Sequence, residues 1–244
     1  MTVARTYADW VLEEVVHAGR ENLDPAHVGR YDAKEDAQAG AELAMLLDAG
    51  LGSDSVVVDI GAGTGQFAVV CAPAVRQVIA VDVSPVMLAA LRATIAGKGL
   101  RNVDCVEAGL LTYEHCGDPV DLVYSRYALH HLPDFWKAIA LGRLAAILRP
   151  GGLLRLWDVA FRFDPADAPA RLEEWMAATA SEDRDEGWTR PELEEHLRDE
   201  HSTFTWLLEP MLERVGFSIA DAQYTKDGIF ARYLCIKQGQ DDDS

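Results

Sequence analysis

Apolar positions follow two periods along this chain. Ser55-Val56-Val57-Val58-Asp59-Ile60 is a continuous, largely β-branched run, the pattern of a parallel strand buried on both faces. Val78-Ile79-Ala80-Val81, Val103-Asp104-Cys105-Val106, Asp121-Leu122-Val123-Tyr124 and Leu153-Leu154-Arg155-Leu156-Trp157 repeat it. Helical periodicity fills most of the intervals, around residues 64–74, 85–97 and 134–147. The alternation predicts βαβ units and a mostly parallel sheet covered by helices on both sides. Phe217-Ser218-Ile219-Ala220 and the run Ile229 to Ile236 are joined by a linker too short for a helical crossover, which predicts an antiparallel hairpin.

The flanks have a different texture. Tyr7, Trp10, Val11, Val15 and Val16 recur at helical spacing, with Gly19 as the stop. A second helix is expected from Asp32, with Glu35 three residues on as in a capping box. Residues 164–215 carry two or three helical patterns in succession and no strand. The expected organisation is a helical cap over 1–50, a ligand-binding core over 51–160, a helical insertion or lid over 161–215, a hairpin completing the sheet over 216–239, and a frayed acidic tail over 240–244. Ligands of such sheets bind outside the carboxyl ends of the strands, which is the edge from which the insertion departs.

Charge narrows the partners. Twenty-two Lys and Arg stand against 40 Asp and Glu, a net charge of −18 over 244 residues. Phosphate backbones need clustered cations, so nucleic acid and anionic membranes are not expected partners. No apolar run is long enough to span a bilayer, and the N-terminus turns acidic before a signal-like stretch forms; a cytoplasmic location is expected. Cys71, Cys105, Cys116 and Cys235 show no paired spacing and read as buried free thiols, with no metal site expected.

Asp59-Ile60-Gly61-Ala62-Gly63-Thr64-Gly65-Gln66 follows the first strand and opens a helix. Its glycines permit positive φ and close approach of a ligand to the backbone, and the helix N-terminus adds unpaired N–H groups. The spacing is Gly-x-Gly-x-Gly; Gln66 stands where a dinucleotide-binding loop has its last glycine. Asp59 suits a cationic ligand better than a pyrophosphate. Asp82, ending the second strand, is placed to take both hydroxyls of a ribose.

These residues resemble class I S-adenosylmethionine-dependent methyltransferases, and most closely their small-molecule branch, which includes ubiquinone and menaquinone biosynthesis enzymes. Val56 to Gly65 looks like the cofactor loop and Asp82 like the ribose acid. Asp121-Leu122-Val123-Tyr124 followed by Leu129-His130-His131-Leu132-Pro133-Asp134 looks like the fourth strand and its loop, and Leu148-Arg149-Pro150-Gly151-Gly152 like the turn into the fifth strand. The resemblance implies a Rossmann-like fold with a seven-stranded, mostly parallel sheet and an antiparallel C-terminal strand. It implies S-adenosyl-L-methionine, with S-adenosyl-L-homocysteine as product, held by Tyr31, Asp59, Gly61, Ala62, Gly63, Gly65, Asp82, Val83, Met87, Gly109, Leu110 and Ser125. Arg126, Tyr127 and Trp206 are expected at a small-molecule acceptor, and His130 or His131 as a general base where the acceptor starts protonated. His115, His196 and His201 are expected at the surface.

Two departures from the family pattern matter. The acid that usually follows the third strand and holds the adenine amino group is replaced by Gly109, so Gly109→Asp is expected to tighten cofactor binding. The Asp/Asn-Pro-Pro-aromatic loop of many nitrogen methyltransferases is replaced by Ser125-Arg126-Tyr127-Ala128. Phe161, Phe163, Trp175, Met176, Trp188, Phe204, Trp206 and Met211 lead to the expectation of a flat, largely apolar acceptor with few polar contacts. An NAD-dependent oxidoreductase and a non-catalytic cofactor-binding subunit are the alternatives; the first fails at Gln66.

Overall fold

The computed structural model describes residues 9–19, 21–34, 38–183 and 187–239. Its sheet contains β1 (Val56–Ile60), β2 (Gln77–Asp82), β3 (Val103–Glu107), β4 (Val120–Arg126), β5 (Leu148–Phe161), β6 (Thr203–Phe204), β7 (Phe217–Tyr224) and β8 (Phe230–Lys237). The order is β3-β2-β1-β4-β5-β8-β7, with β6 pairing β5. β1 pairs in parallel with both β2 and β4, while β8 is antiparallel to β5 and β7. The order reverses between β2 and β4 around β1, which makes the carboxyl end of β1 the switch point where ligands bind.

Helices α1 (Pro25–Lys34), α2 (Ala39–Asp48), α3 (Gln66–Cys71), α4 (Pro85–Lys98), α5 (Asp134–Ile147), α6 (Ala168–Thr179), α7 (Arg190–Asp199) and α8 (Thr205–Arg214) cover it. Successive strand residues point to opposite faces. Val58, Val123 and Leu154 therefore pack with Leu141, Leu144 and Leu208 on one side. Val57, Val78 and Leu122 pack with Leu46, Phe67 and Leu88 on the other. A third cluster, Val159, Phe161, Trp175, Met176, Leu193 and Ile229, seats α6 and α7 on the carboxyl end of β5.

The N-terminal expectations need correction. Residues 14–17 form a single 3-10 turn, with Trp10 71% exposed and stacked on Trp136 at 6.0 Å. Tyr7 and Glu35 lie outside the described residues, as does the 240–244 tail. The second helix does not start at Asp32, which lies inside α1; that helix begins at Pro25, where the fixed φ suits a first turn, and Asp24 Oδ1 accepts the Ala26 N–H at 2.9 Å. β6, two residues long, is too short to show periodicity. Of the cysteines, Cys71 and Cys235 are buried, but Cys116 is exposed.

Candidate functional site

The loop after β1 is held open by its glycines. Gly61, Gly63 and Gly65 have φ of 74°, 54° and 85°. A Cβ on Gly61 would lie 2.3 Å from Ala128 Cβ, and one on Gly65 would lie 2.1 Å from Leu91 Cδ1. At Gly63 the nearest atom is Met87 Sδ at 4.0 Å, so this glycine faces open space. That space is a cleft lined by Tyr31, Gly61, Gly63, Asp82, Val83, Met87, Gly109, Leu110, Arg126, Tyr127 and His131, eleven of the residues expected from the sequence. Asp82 is locked in place: Oδ2 accepts the Gly63 N–H and Oδ1 the Ser84 N–H, both at 2.8 Å.

Asp59 and Ser125 lie behind this cleft. Asp59 is buried with no hydrogen-bond partner at Oδ2; burial and then the charge of Asp82 push its carboxyl up to about 7. Burial also raises Asp82. Two desolvated carboxylates at one loop favour a positively charged ligand. Ser125 Oγ is likewise buried without a partner.

Glu14 is a residue the sequence reading missed. Its carboxylate accepts the Leu111 N–H at 3.0 Å and the Thr112 hydroxyl at 3.1 Å, and it lines the cleft. A Cβ on Gly109 would come within 2.4 Å of Glu14 Cδ. A carboxylate therefore already stands beside the position where the family acid is missing, and Gly109→Asp would collide with it. That corrects the expectation that this substitution tightens binding.

A second cavity, about 580 Å³, opens beside the first. Asn22, Tyr31, Tyr127 and His131 line both. Tyr127 holds a left-handed φ of 52°, unusual for a non-glycine residue. Its ring centroid lies 5.5 Å from that of Trp157 and 5.6 Å from that of Phe230, which fixes it at the junction. The insertion supplies Trp175, Thr179, Trp188, Glu192, Leu193, Glu195, His196 and Glu200 to the wall. The other bulky apolar residues of the insertion do not line it: Phe161 and Met176 pack the third cluster, and Trp206 is 55% exposed, stacked on Phe204 away from both cavities. The wall is far more polar than expected, with His27, His130, His131 and His196 beside Asp24, Glu192, Glu195 and Glu200.

The histidines are organised by two carboxylates, Asp158 on β5 and Glu200 just after α7. Asp158 Oδ1 lies 2.6 Å from His130 Nδ1, and Glu200 Oε2 lies 3.0 Å from His130 Nε2. Burial opposes a charge on His130, but the two carboxylates outweigh it and push the ring up to about 10. With both nitrogens engaged, His130 is not a free base. Burial and the neighbouring His130 push His131 down to about 3, and its Nδ1 is buried without a partner. His196 Nδ1 contacts Glu200, so it belongs to this cluster and not to the open surface. His115 bonds the Tyr113 hydroxyl at 3.0 Å, and the His201 N–H donates to the His130 carbonyl at 2.8 Å. No pattern in the sequence links Glu200 to His130, since seventy residues separate them.

Comparison with known proteins places these elements in a family context. Residues 57–152 match the model of a methyltransferase domain. An uncharacterised methyltransferase of Geobacillus kaustophilus is 27% identical over 205 residues, 83% of this chain and 87% of its own. The YcgJ protein of Bacillus subtilis superposes with a TM-score of 0.61 at 18% identity, over 82% of this chain and 99% of its own. Magnesium protoporphyrin IX methyltransferase of Synechocystis, solved with S-adenosylmethionine bound, superposes with a TM-score of 0.64 at 15% identity, over 95% of this chain and all of its own.

Proposed function

We propose that this chain is a class I S-adenosylmethionine-dependent methyltransferase that binds the donor over the Gly61–Gly65 loop and methylates a small organic molecule in the adjoining chamber. The observation that carries this reading is the shared wall: two cavities meet at Tyr31, Tyr127 and His131, one over the glycine loop and one under the lid. When bound, the donor supplies a methyl group activated by a positively charged sulfur.

The chain's own residues do the rest. Gly63 leaves room for the ligand, and Asp82, aimed by two backbone N–H groups, accepts the ribose hydroxyls. Glu14 stands where the adenine amino group needs an acceptor. Asp82 supplies negative charge on the wall of the donor cleft, with Asp59 buried behind it. Tyr127 and His131 orient the acceptor against the donor, and α6 and α7 exclude water, so that alignment and desolvation provide the rate enhancement.

Calorimetry with S-adenosylhomocysteine tests the donor half, with NAD as the comparison ligand. The adenosyl compound binds and NAD does not. Asp82→Ala weakens binding by about 1.5–3 kcal/mol, the worth of charge-assisted hydrogen bonds. Tight NAD binding without a response to the adenosyl compound overturns the assignment. Donor binding without turnover on any member of a broad acceptor panel points to a non-catalytic subunit instead.

A further inference from the structure

We propose that His130, His131 and Glu200 form a binding site for a divalent transition-metal ion of zinc type in the wall of the acceptor chamber. Each offers one ligand atom, and these atoms all lie within 4.8 Å of one another. Among the described residues no other group of three His, Cys, Asp or Glu side chains meets that condition. The His130 Nε2 to Glu200 Oε2 separation is 3.0 Å. Two ligands bound at about 2.0–2.1 Å to a tetrahedral ion stand about 3.3 Å apart, so a small outward adjustment admits the ion.

Three further observations set this cluster apart from a chance meeting of polar groups. Asp158 holds His130 Nδ1 at 2.6 Å, which orients the ring with Nε2 toward Glu200, where an ion would take the place of the Nε2 proton, as the outer carboxylate of a carboxylate–histidine–metal arrangement does. His131 carries a buried ring nitrogen with no partner, next to His130 with ring centroids 4.3 Å apart. The chamber wall carries Asp24, Glu192, Glu195 and Glu200 and, among its described lining residues, no Lys or Arg. Carboxylates outnumber positively charged side chains among these lining residues, which favours a cation over an anion there. The ligand positions are also rigid: the His201 N–H donates to the His130 carbonyl at 2.8 Å, and buried Lys137 donates to the His201 carbonyl, so Glu200 is fastened to the loop after β4.

Two imidazoles and one carboxylate suit zinc and leave a fourth position open. Here the cluster lines the chamber at its junction with the donor cleft, so the open position faces the acceptor. The inference rests on the methyltransferase reading and deepens it: the acceptor would bear a hydroxyl or thiol whose heteroatom the ion binds and whose proton it makes easier to lose.

The test uses full-length protein treated with chelator, desalted and titrated with zinc against a chromophoric chelator. One equivalent binds, and His131→Gln and Glu200→Gln each weaken it at least about tenfold, while Asp158→Asn, acting through His130, weakens it about 10–100-fold. Cobalt(II) added to the wild type gives visible absorption of a four-coordinate nitrogen and oxygen site, a reading that does not depend on whether the variants fold. Zinc binding that is absent, or unmoved by all three substitutions, overturns the proposal and leaves the cluster a hydrogen-bonded relay. Calorimetry with S-adenosylhomocysteine on the same samples separates the two claims. Donor binding without zinc removes only the metal site, and zinc binding without donor affinity supports the metal site and counts against the transferase.

Discussion

Glu14 and Gly109 act as a pair at the residue scale. One carboxylate, brought from 95 residues away, occupies the space that a side chain on Gly109 would need. An acceptor facing the adenine amino group should discriminate against a 6-oxo base, which offers no donor there. Wild type is expected to prefer S-adenosylhomocysteine over its inosine analogue by about ten- to a hundredfold, and Glu14→Gln, which can donate, to narrow that gap. Unchanged discrimination in a calorimetric comparison would remove Glu14 from the site. Gly109→Asp should weaken donor binding, because its Cβ meets Glu14 within 2.4 Å.

Asp59 gives a pH prediction at the same scale. Its folded value, about 7, lies above its unfolded one, so the folded state binds the proton more tightly. The associated stability is fully present below about pH 4 and is lost as pH rises toward 7. Urea unfolding of the ligand-free protein should show wild type losing more stability between pH 5 and pH 8 than Asp59→Asn, by at most about 2.7 kcal/mol. Equal losses would mean that Asp59 ionises normally.

At the scale of elements, the contact that positions the cap is an ion pair. Arg155 on β5 donates to Glu42 on α2 through Nε at 2.6 Å and a second guanidinium nitrogen at 2.8 Å, with both side chains buried. Removing one partner leaves a charge in the interior, so Glu42→Ala is expected to cost about 3–5 kcal/mol in chemical unfolding. Replacing both by apolar residues, Glu42→Met with Arg155→Leu, should cost clearly less. A double variant as unstable as the single one would show that the pair's worth lies in its charges and not in its shape.

Across the whole molecule, charge and shape act together. A chain of net charge −18 has, in the wall of the second cavity, Asp24, Glu192, Glu195 and Glu200 against one positively charged ring, His130, and no Lys or Arg among the described lining residues. Neutral or cationic acceptors should be favoured over analogues bearing a carboxylate or phosphate, by about tenfold or more in kcat/KM, with the difference shrinking as ionic strength rises. Equal turnover of matched anionic and neutral analogues at low salt would locate the acceptor outside this chamber. Among the described residues no helix is long and apolar enough to cross a membrane.

The sheet and the glycine loop after β1 were legible in the sequence because both depend on local pattern. A strand buried on both faces reads as an unbroken apolar run, and a backbone with positive φ reads as Gly61, Gly63 and Gly65 at fixed spacing. Eleven expected residues line one cleft for that reason. The second cavity was not legible in the same way. Trp175 and Trp206 look alike in a helical pattern, but one is buried beneath the lid and the other is 55% exposed, and only the packing of α6 to α8 separates them. Glu14 at the cleft and Glu200 at His130 are long-range contacts between charged residues that no periodicity announces. Their meeting is decided by where the N-terminal turn and the lid settle on the carboxyl edge of the sheet, because only the folded chain brings those segments together.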